Sequence, residues 1–240
     1  MPVDLGNLAP QGGDVDPIAL AGQEAVHLHE VVAPGLSRES SRARYAPGTE
    51  FEIGHISMVG NTGTYLDTPY HRYADGYGLD ELQLERVAGV RGVVVDAPGP
   101  AIGAAEFAGL ELRGRALLIR SGWSRRFGTG AYGDPDHPYL AVEAVEVLVA
   151  AAPAVVGIDS VNIDSTAIGE RPAHGGLLAA GIPIVEHLTA LDTLPVEGFT
   201  FFSVPLRIAG MGTFAVRAFA MLDEGLHGGR ERVIGSRGAS

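Results

Sequence analysis

The residues best suited to chemistry lie in the stretch NTGTYLDTPYH, from Asn61 to His71. Asp67 and His71 pair a carboxylate with an imidazole, which are the side chains used for metal binding and for proton transfer. If residues 61–67 are extended, strand alternation places Asn61, Tyr65 and Asp67 on one face, and Pro69 then turns His71 back toward it. Spacing alone favours a different interpretation, in which Asp67 caps a turn and His71 is a hydrogen-bonded surface residue.

A second polar pair, His174 and Glu186, lies in the stretch AHGGLLAAGIPIVEH. The pattern predicts a short helix over 174–180 that stops at Gly181, followed by a strand over 182–186. The helix advances about 10 Å and the strand returns about 16 Å, so the two side chains are able to meet. The other interpretation is a helix-capping His174 and a solvent-facing Glu186. His187 follows in the strand, and alternation predicts that it faces the opposite side of the sheet.

Composition excludes several classes of protein. The chain has no cysteine, so a metal site must use His, Asp and Glu. It has no G-x-S-x-G elbow and no phosphate-binding loop. A formal net charge of −12 disfavours nucleic acid and anionic membranes as partners. No apolar run approaches the roughly twenty residues needed to span a bilayer, and we expect a cytoplasmic protein.

The elements that must position these residues indicate an α/β fold with a mixed sheet in a single domain. We expect that domain over residues 17–224, with flexible segments at 1–16 and 225–240. Short β-branched and aromatic runs bounded by Gly and Pro predict strands. They lie at 51–59, 92–96, 116–120, 155–158, 182–186, 199–206 and 214–221. Helical spacing predicts helices at 141–151 and 174–180, with shorter candidates at 80–88 and 103–110.

The same segments resemble a known family. NTGTYLDTPYH and PAHGGLLAAGIPIVEHLTALDTLP, with ALLIRSGWS and AVVGIDSVNIDS between them, are similar to the cyclase family that includes bacterial kynurenine formamidase and isatin hydrolase. Of the family motif H-x-G-T-H-x-D-x-P-x-H, this chain keeps Gly63, Thr64, Asp67, Pro69 and His71. The resemblance implies a swivelling β/β/α domain, assembled as a homodimer or homotetramer. It also implies a divalent metal site that hydrolyses a small cyclic or N-formyl amide.

The chain departs from the motif at two histidines that are metal ligands in the hydrolases. Asn61 and Tyr65 stand in their places. An amide oxygen is a weak zinc ligand, and a tyrosine must lose a proton at a reference pKa of about 10 before it binds well. The positions that match the other metal of the formamidases, Asp67, His174 and Glu186, are intact. The resemblance therefore implies a single zinc or manganese ion at these three residues.

Three functions remain open from the sequence. The first is a hydrolase of non-peptide C–N or ester bonds, in which a metal-activated water attacks and His71 acts as acid and base. The second is a metal-free cyclase, isomerase or dehydratase that uses Tyr65, His71 and Asp67. The third is a non-catalytic binding relative. In each case the partner is a small molecule, such as an amide, lactam or lactone, and Asn61, Tyr70 and Trp123 are the candidate binding residues.

Overall fold

The structure is a computed structural model that describes residues 2–4 and 31–223. Both predicted domain boundaries fall outside these ranges. Within them the chain forms thirteen strands: β1 (Pro2–Asp4), β2 (Val31–Leu36), β3 (Ile53–Ser57), β4 (Tyr65–Asp67), β5 (Ala88–Asp96), β6 (Ala101–Ile102), β7 (Ala116–Arg120), β8 (Tyr139–Leu140), β9 (Val155–Ile158), β10 (Ile184–Glu186), β11 (Phe199–Phe202), β12 (Thr213–Ala215) and β13 (Phe219–Leu222). The α-helices of the described residues are α1 (Arg38–Arg42), α2 (Val142–Ala151) and α3 (Pro172–Ala179). None of these helices is long and apolar enough to cross a membrane.

Nine of the strands form one sheet, in the order β1-β13-β11-β5-β7-β9-β10-β4-β12. The central strands β5, β7, β9 and β10 run parallel to their neighbours in this group. The strands on both flanks pair antiparallel, including β4 with β10 and with β12. The predicted mixed α/β sheet is therefore confirmed.

Both faces of the parallel strands are covered. On β7, Leu117 and Ile119 pack with the buried faces of α2 and α3. Leu118 points to the other side, where it packs with Phe199 and Phe201 of β11. Alternating side chains that are apolar on both faces explain the continuous hydrophobic runs of these strands. Each such fully buried side chain contributes about 1.5–3 kcal/mol relative to an exposed one.

Helix α3 has clear start and stop signals. It begins at Pro172, which lacks the amide hydrogen that a first-turn residue does not need. It ends before Gly181, which has a φ of +70°, and Ile182 N donates to Leu177 O at 2.9 Å across the stop. The predicted stop at Gly181 is confirmed, and it sends the chain directly into β10.

Several expected elements differ in the structure. The expected strand over 214–221 is two strands, β12 and β13, because the chain leaves the sheet between them and returns at its far side. The expected strand over 199–206 ends at Phe202, ahead of Pro205, which cannot donate a ladder hydrogen bond. The expected short helices are single 3₁₀ turns at Leu84–Arg86 and Ala104–Phe107.

The approach to β4 also differs from the expectation. Only Tyr65–Asp67 is strand, and Gly63 has a φ of +65°, which ends the extended conformation before Asn61 is reached. Asn61 is exposed and is not placed with Tyr65 and Asp67 by strand alternation.

Candidate metal centre

Strand β4 carries the central carboxylate of the site. It lies between β10 and β12, and all three of its residues are buried. Its register with β10 places Glu186 opposite Tyr65, with Asp67 two residues further along the same face. Opposed residues of an antiparallel pair point to the same side, so Tyr65, Asp67 and Glu186 share one face of the sheet.

His71 returns to Asp67 through a tight turn. Pro69–His71 forms a single 3₁₀ turn one residue after the strand, and His71 Nδ1 lies 3.6 Å from Asp67 Oδ1. Gly212 holds the turn, since its carbonyl accepts from Thr68 N at 2.7 Å and from Thr68 Oγ1 at 3.0 Å. The predicted return of His71 after Pro69 is confirmed.

His174 enters from the first turns of α3. Its Nε2 atom lies 3.5 Å from Asp67 Oδ2 and 4.0 Å from Glu186 Oε2. Its Nδ1 lies 2.6 Å from Asp164 Oδ2, which assigns the Nδ1 proton to that bond and leaves Nε2 facing Asp67. Asp67, His174 and Glu186 therefore converge, as the sequence predicts.

Asp164 is a residue of the site that the sequence analysis missed. Its carboxylate also accepts from the backbone N of Ala173 at 2.6 Å and of His174 at 3.1 Å, so it orients the imidazole and caps the helix that carries it. A carboxylate behind a ligating histidine is a usual partner of metal sites. The sequence signal that could have identified Asp164 is an acidic residue in the loop after a buried strand. That signal is weak, because the same segment contains several other polar residues.

The hydrogen bonding of Asp67 tests whether a metal ion fits the site. Both of its oxygens are buried, and neither has a hydrogen-bond partner among the described residues. Burying a carboxylate whose oxygens accept no hydrogen bond is costly, so a cation is the natural complement. Asp67, His71 and His174 each offer a ligand atom, and these atoms lie within 4.8 Å of one another. We call these three residues the cluster, and their donor set suits a divalent ion.

Glu186 lies beside the cluster and is already hydrogen-bonded. Its Oε1 accepts from Ile163 N at 2.6 Å, and its Oε2 accepts from the Tyr65 hydroxyl. Burial, followed by the charges of Glu186 and Asp67, raises the pKa of Tyr65 well above its ordinary value. Tyr65 is therefore a phenol that donates a hydrogen bond, and it is not available as a phenolate ligand.

His187 does not face the opposite side of the sheet, so that prediction is wrong. Its backbone has a φ of +59°, which ends the strand alternation immediately after Glu186. Its ring lies 5.3 Å from the ring of Tyr65, and its Nδ1 lies 3.1 Å from the hydroxyl of Tyr132. Burial lowers the pKa of His187 to about 4, so its imidazole is neutral.

The candidate substrate-binding residues are differently placed. Tyr70, the neighbour of His71 in the chain, is exposed. Trp123 is buried, donates its indole hydrogen to Tyr132 O at 2.8 Å, and lies under the guanidinium of Arg126. Tyr132 connects this aromatic group to His187, so Trp123 is two side chains removed from Tyr65.

Arg171 is the second residue that the sequence analysis missed. It directly precedes α3, and its Nη2 atom lies 3.3 Å from His174 Nδ1 and 3.4 Å from His174 Nε2. The site thus combines three buried carboxylates with two imidazoles and one guanidinium. This arrangement can hold a divalent cation and an anionic ligand together.

The fold and the cluster define a class of protein: an α/β domain that presents a buried carboxylate and two imidazoles to a divalent cation. A family model described as "Putative cyclase" matches residues 18–165. This span is more than half of the 240 residues, and the chain belongs to this cyclase family. The resemblance found in the sequence is confirmed.

Similar proteins agree with this assignment. The kynurenine formamidase of Geobacillus thermodenitrificans (strain NG80-2) is 30% identical over 198 residues, which cover 79% of this chain and 90% of that protein. Isatin hydrolase A from Labrenzia aggregata, solved with benzyl benzoate, matches with a TM-score of 0.73 and 24% identity over 93% of this chain and 94% of that one. A structure described as a potential metal-dependent hydrolase with cyclase activity matches with a TM-score of 0.67 and 18% identity, covering 92% and 96% of the two chains. The solved structures establish the cyclase-like fold.

Proposed function

We propose that the protein is a metal-dependent hydrolase of a small amide, lactam or lactone. The observation that carries the proposal is Asp67, whose two buried oxygens lack hydrogen bonds and face the imidazoles of His71 and His174. The similarity to a kynurenine formamidase supports hydrolysis of a C–N bond outside peptides. Asp67, His71 and His174 would hold one zinc or manganese ion.

The cation, when bound, supplies a water of lowered pKa and polarises the substrate carbonyl. The chain's own residues handle the proton. Glu186 Oε2 lies 4.0 Å from His174 Nε2 and is held by the Tyr65 hydroxyl, so this carboxylate of fixed orientation would accept the proton of the attacking water. Water adds to the carbonyl carbon, the C–N or C–O bond breaks, and the proton passes through Glu186 to the leaving nitrogen or oxygen.

The roles that we propose for His71 and Glu186 are the reverse of those predicted from the sequence. His71 was predicted to carry the proton, but its distance to Asp67 supports a ligand. Glu186 was predicted as a ligand, but its two hydrogen bonds support a positioned base. The metal-free alternative is less supported, because it needs Tyr65 as an acid or base. The Tyr65 hydroxyl is already hydrogen-bonded to Glu186, and its pKa is raised.

The test compares wild type with Asp67→Asn. Zinc or manganese should stabilise the wild type by RT ln(1 + [L]/Kd), about 2.7 kcal/mol at a hundredfold excess over Kd, and should not stabilise the variant. The matched control is Asp192→Asn, at an exposed carboxylate. The metal content and the hydrolysis of N-formyl amides, lactams and lactones are measured on the same samples. A wild type that binds no divalent ion contradicts the proposal.

We also propose that the chain self-associates through the β2–β3 hairpin. This hairpin is a separate two-stranded sheet, and all five residues of β3 are exposed, with Ile53 at 54% and Ile56 at 64%. An isolated hairpin is marginal in water, so a second copy of the chain is the proposed cover. Ile56→Lys should lower the molar mass found by light scattering, whereas Val142→Lys on α2, itself 55% exposed, should leave it unchanged. An unchanged mass for Ile56→Lys contradicts this interface.

A further inference from the structure

Arg171 places a fixed positive charge against a cluster residue. Its Nη2 atom is almost equally far from the two ring nitrogens of His174, at 3.3 and 3.4 Å. Nδ1 is already bonded to Asp164. Because Arg171 Nη2 is almost equally far from both ring nitrogens of His174, it packs on the imidazole ring and does not lie on the bonding direction of either nitrogen. The guanidinium therefore borders the space in front of Nε2 without occupying the direction of that lone pair.

The hydrogen-bond donors of Arg171 are only weakly engaged. Among the described residues, its other polar contacts are to Asn162 Oδ1 at 3.4 Å and, from Nε, to Asp164 Oδ2 at 3.6 Å. A guanidinium has five N–H donors arranged as a fork. The side chain is 33% exposed, so a ligand that enters from solvent can reach the remaining donors.

The charges of the site balance, so an anionic ligand at Arg171 is not opposed by an excess of negative charge. Asp67, Asp164 and Glu186 are buried and carry three negative charges when ionised. One divalent cation and Arg171 would carry three positive charges, with the guanidinium on the solvent side. The three negative charges are therefore buried. The positive charges that a ligand from solvent can reach are those of Arg171 and of the cation.

We propose that Arg171 forms a carboxylate-binding position beside the cluster, which receives the acid that hydrolysis releases. This inference rests on the proposed hydrolase function and extends it. A guanidinium fork binds a planar carboxylate with two parallel hydrogen bonds. Because Nη2 lies only 3.4 Å from His174 Nε2, the carboxylate in reach is the one formed at the reacting carbon.

The test measures benzoate binding by calorimetry to the zinc-loaded protein. Arg171→Gln should weaken benzoate binding about 10-fold to 100-fold, the range expected for a lost hydrogen bond to a charged group. Arg171→Lys should give an intermediate loss, because it keeps the charge and loses the fork. Arg125→Gln is the matched control, since Arg125 is 73% exposed and pairs with Asp192. Equal benzoate affinities for wild type and Arg171→Gln, with both proteins folded by circular dichroism, overturn the inference.

Zinc content separates this inference from the proposed function. Bound zinc with benzoate binding that does not depend on Arg171 overturns the inference and leaves the hydrolase proposal standing. No bound zinc contradicts the hydrolase, while Arg171-dependent benzoate binding to that protein still supports the anion site.

Kinetics identify the source of the carboxylate. A product role predicts that Arg171→Gln weakens inhibition by the released acid at unchanged KM, whereas a higher KM for N-formylanthranilate but not for formanilide reassigns the site to an acid group of the intact substrate.

Discussion

Asp164 Oδ2 lies 2.6 Å from His174 Nδ1, and the same carboxylate accepts the backbone amides of Ala173 and His174. One side chain therefore sets both the helix start and the direction of the imidazole that it carries. The Nε2 atom of His174 faces Asp67 because the other ring nitrogen is bonded to Asp164.

Replacing Asp164 with Asn should weaken zinc binding about 10-fold to 100-fold, the usual cost of losing the partner of a ligating histidine. The amide oxygen still accepts a backbone hydrogen bond, so the helix start should persist. Competitive titration with a chelator measures the affinity, and Asp192→Asn is the control. An unchanged zinc affinity would show that Asp164 serves only as a helix cap.

Replacing His71 with Gln distinguishes its two roles. If His71 is a ligand, zinc affinity should fall by more than about 100-fold, beyond the loss typical of a residue behind a ligand. If it is only a proton carrier, zinc should remain bound while kcat falls. His55→Gln, at an exposed histidine of β3, is the control. We expect the loss of zinc, because His71 Nδ1 is as close to Asp67 as His174 is.

Zinc binding should strengthen as the pH rises. Burial lowers the pKa of His174, but the charge of Glu186, the hydrogen bond to Asp164 and the charge of Asp67 outweigh it and raise the pKa of the metal-free imidazole to about 9. At neutral pH the metal must displace that proton, so the apparent affinity should increase about tenfold per pH unit and level off near the pKa. Chelator competition between about pH 6 and about pH 8, with proton release followed in weak buffer, measures the slope. A flat profile would contradict a protonated His174 in the metal-free protein.

Replacing Gly212 with Ala should displace the turn that carries His71. An added Cβ would lie 2.2 Å from His71 N and 2.6 Å from His71 Cα, and both atoms belong to the backbone. Forced overpacking of this kind lowers the free energy of unfolding by about 1–3 kcal/mol, and zinc affinity should fall with it. Gly99→Ala is the control, because nothing lies within 4 Å of its Cβ position. Denaturant unfolding and zinc titration of both variants test the prediction.

The sequence by itself determined the features that depend on neighbouring residues. The strands at 116–120 and 155–158 have the predicted bounds, because an apolar run between turn residues is a local signal. Gly181 stops α3 and Pro69 returns His71 to Asp67 for the same reason. The family was also identified from the sequence, because the segments around Asp67 and His174 and the two segments between them each keep a recognisable local pattern in the same order.

Only the tertiary structure decided how distant segments complete the site. The alternation of apolar and polar residues over 214–221 predicts a strand but not its partners. The sequence therefore did not show that this segment forms two strands, β12 and β13, in separate parts of the sheet. Asp164 reaches His174 across a ten-residue separation through an irregular loop, and His187 turns toward Tyr65 because of one left-handed backbone angle. Such contacts depend on where the loops are held by the packed sheet and helices. Periodicity describes only which side a residue faces within its own element, and it does not specify the element against which that side packs.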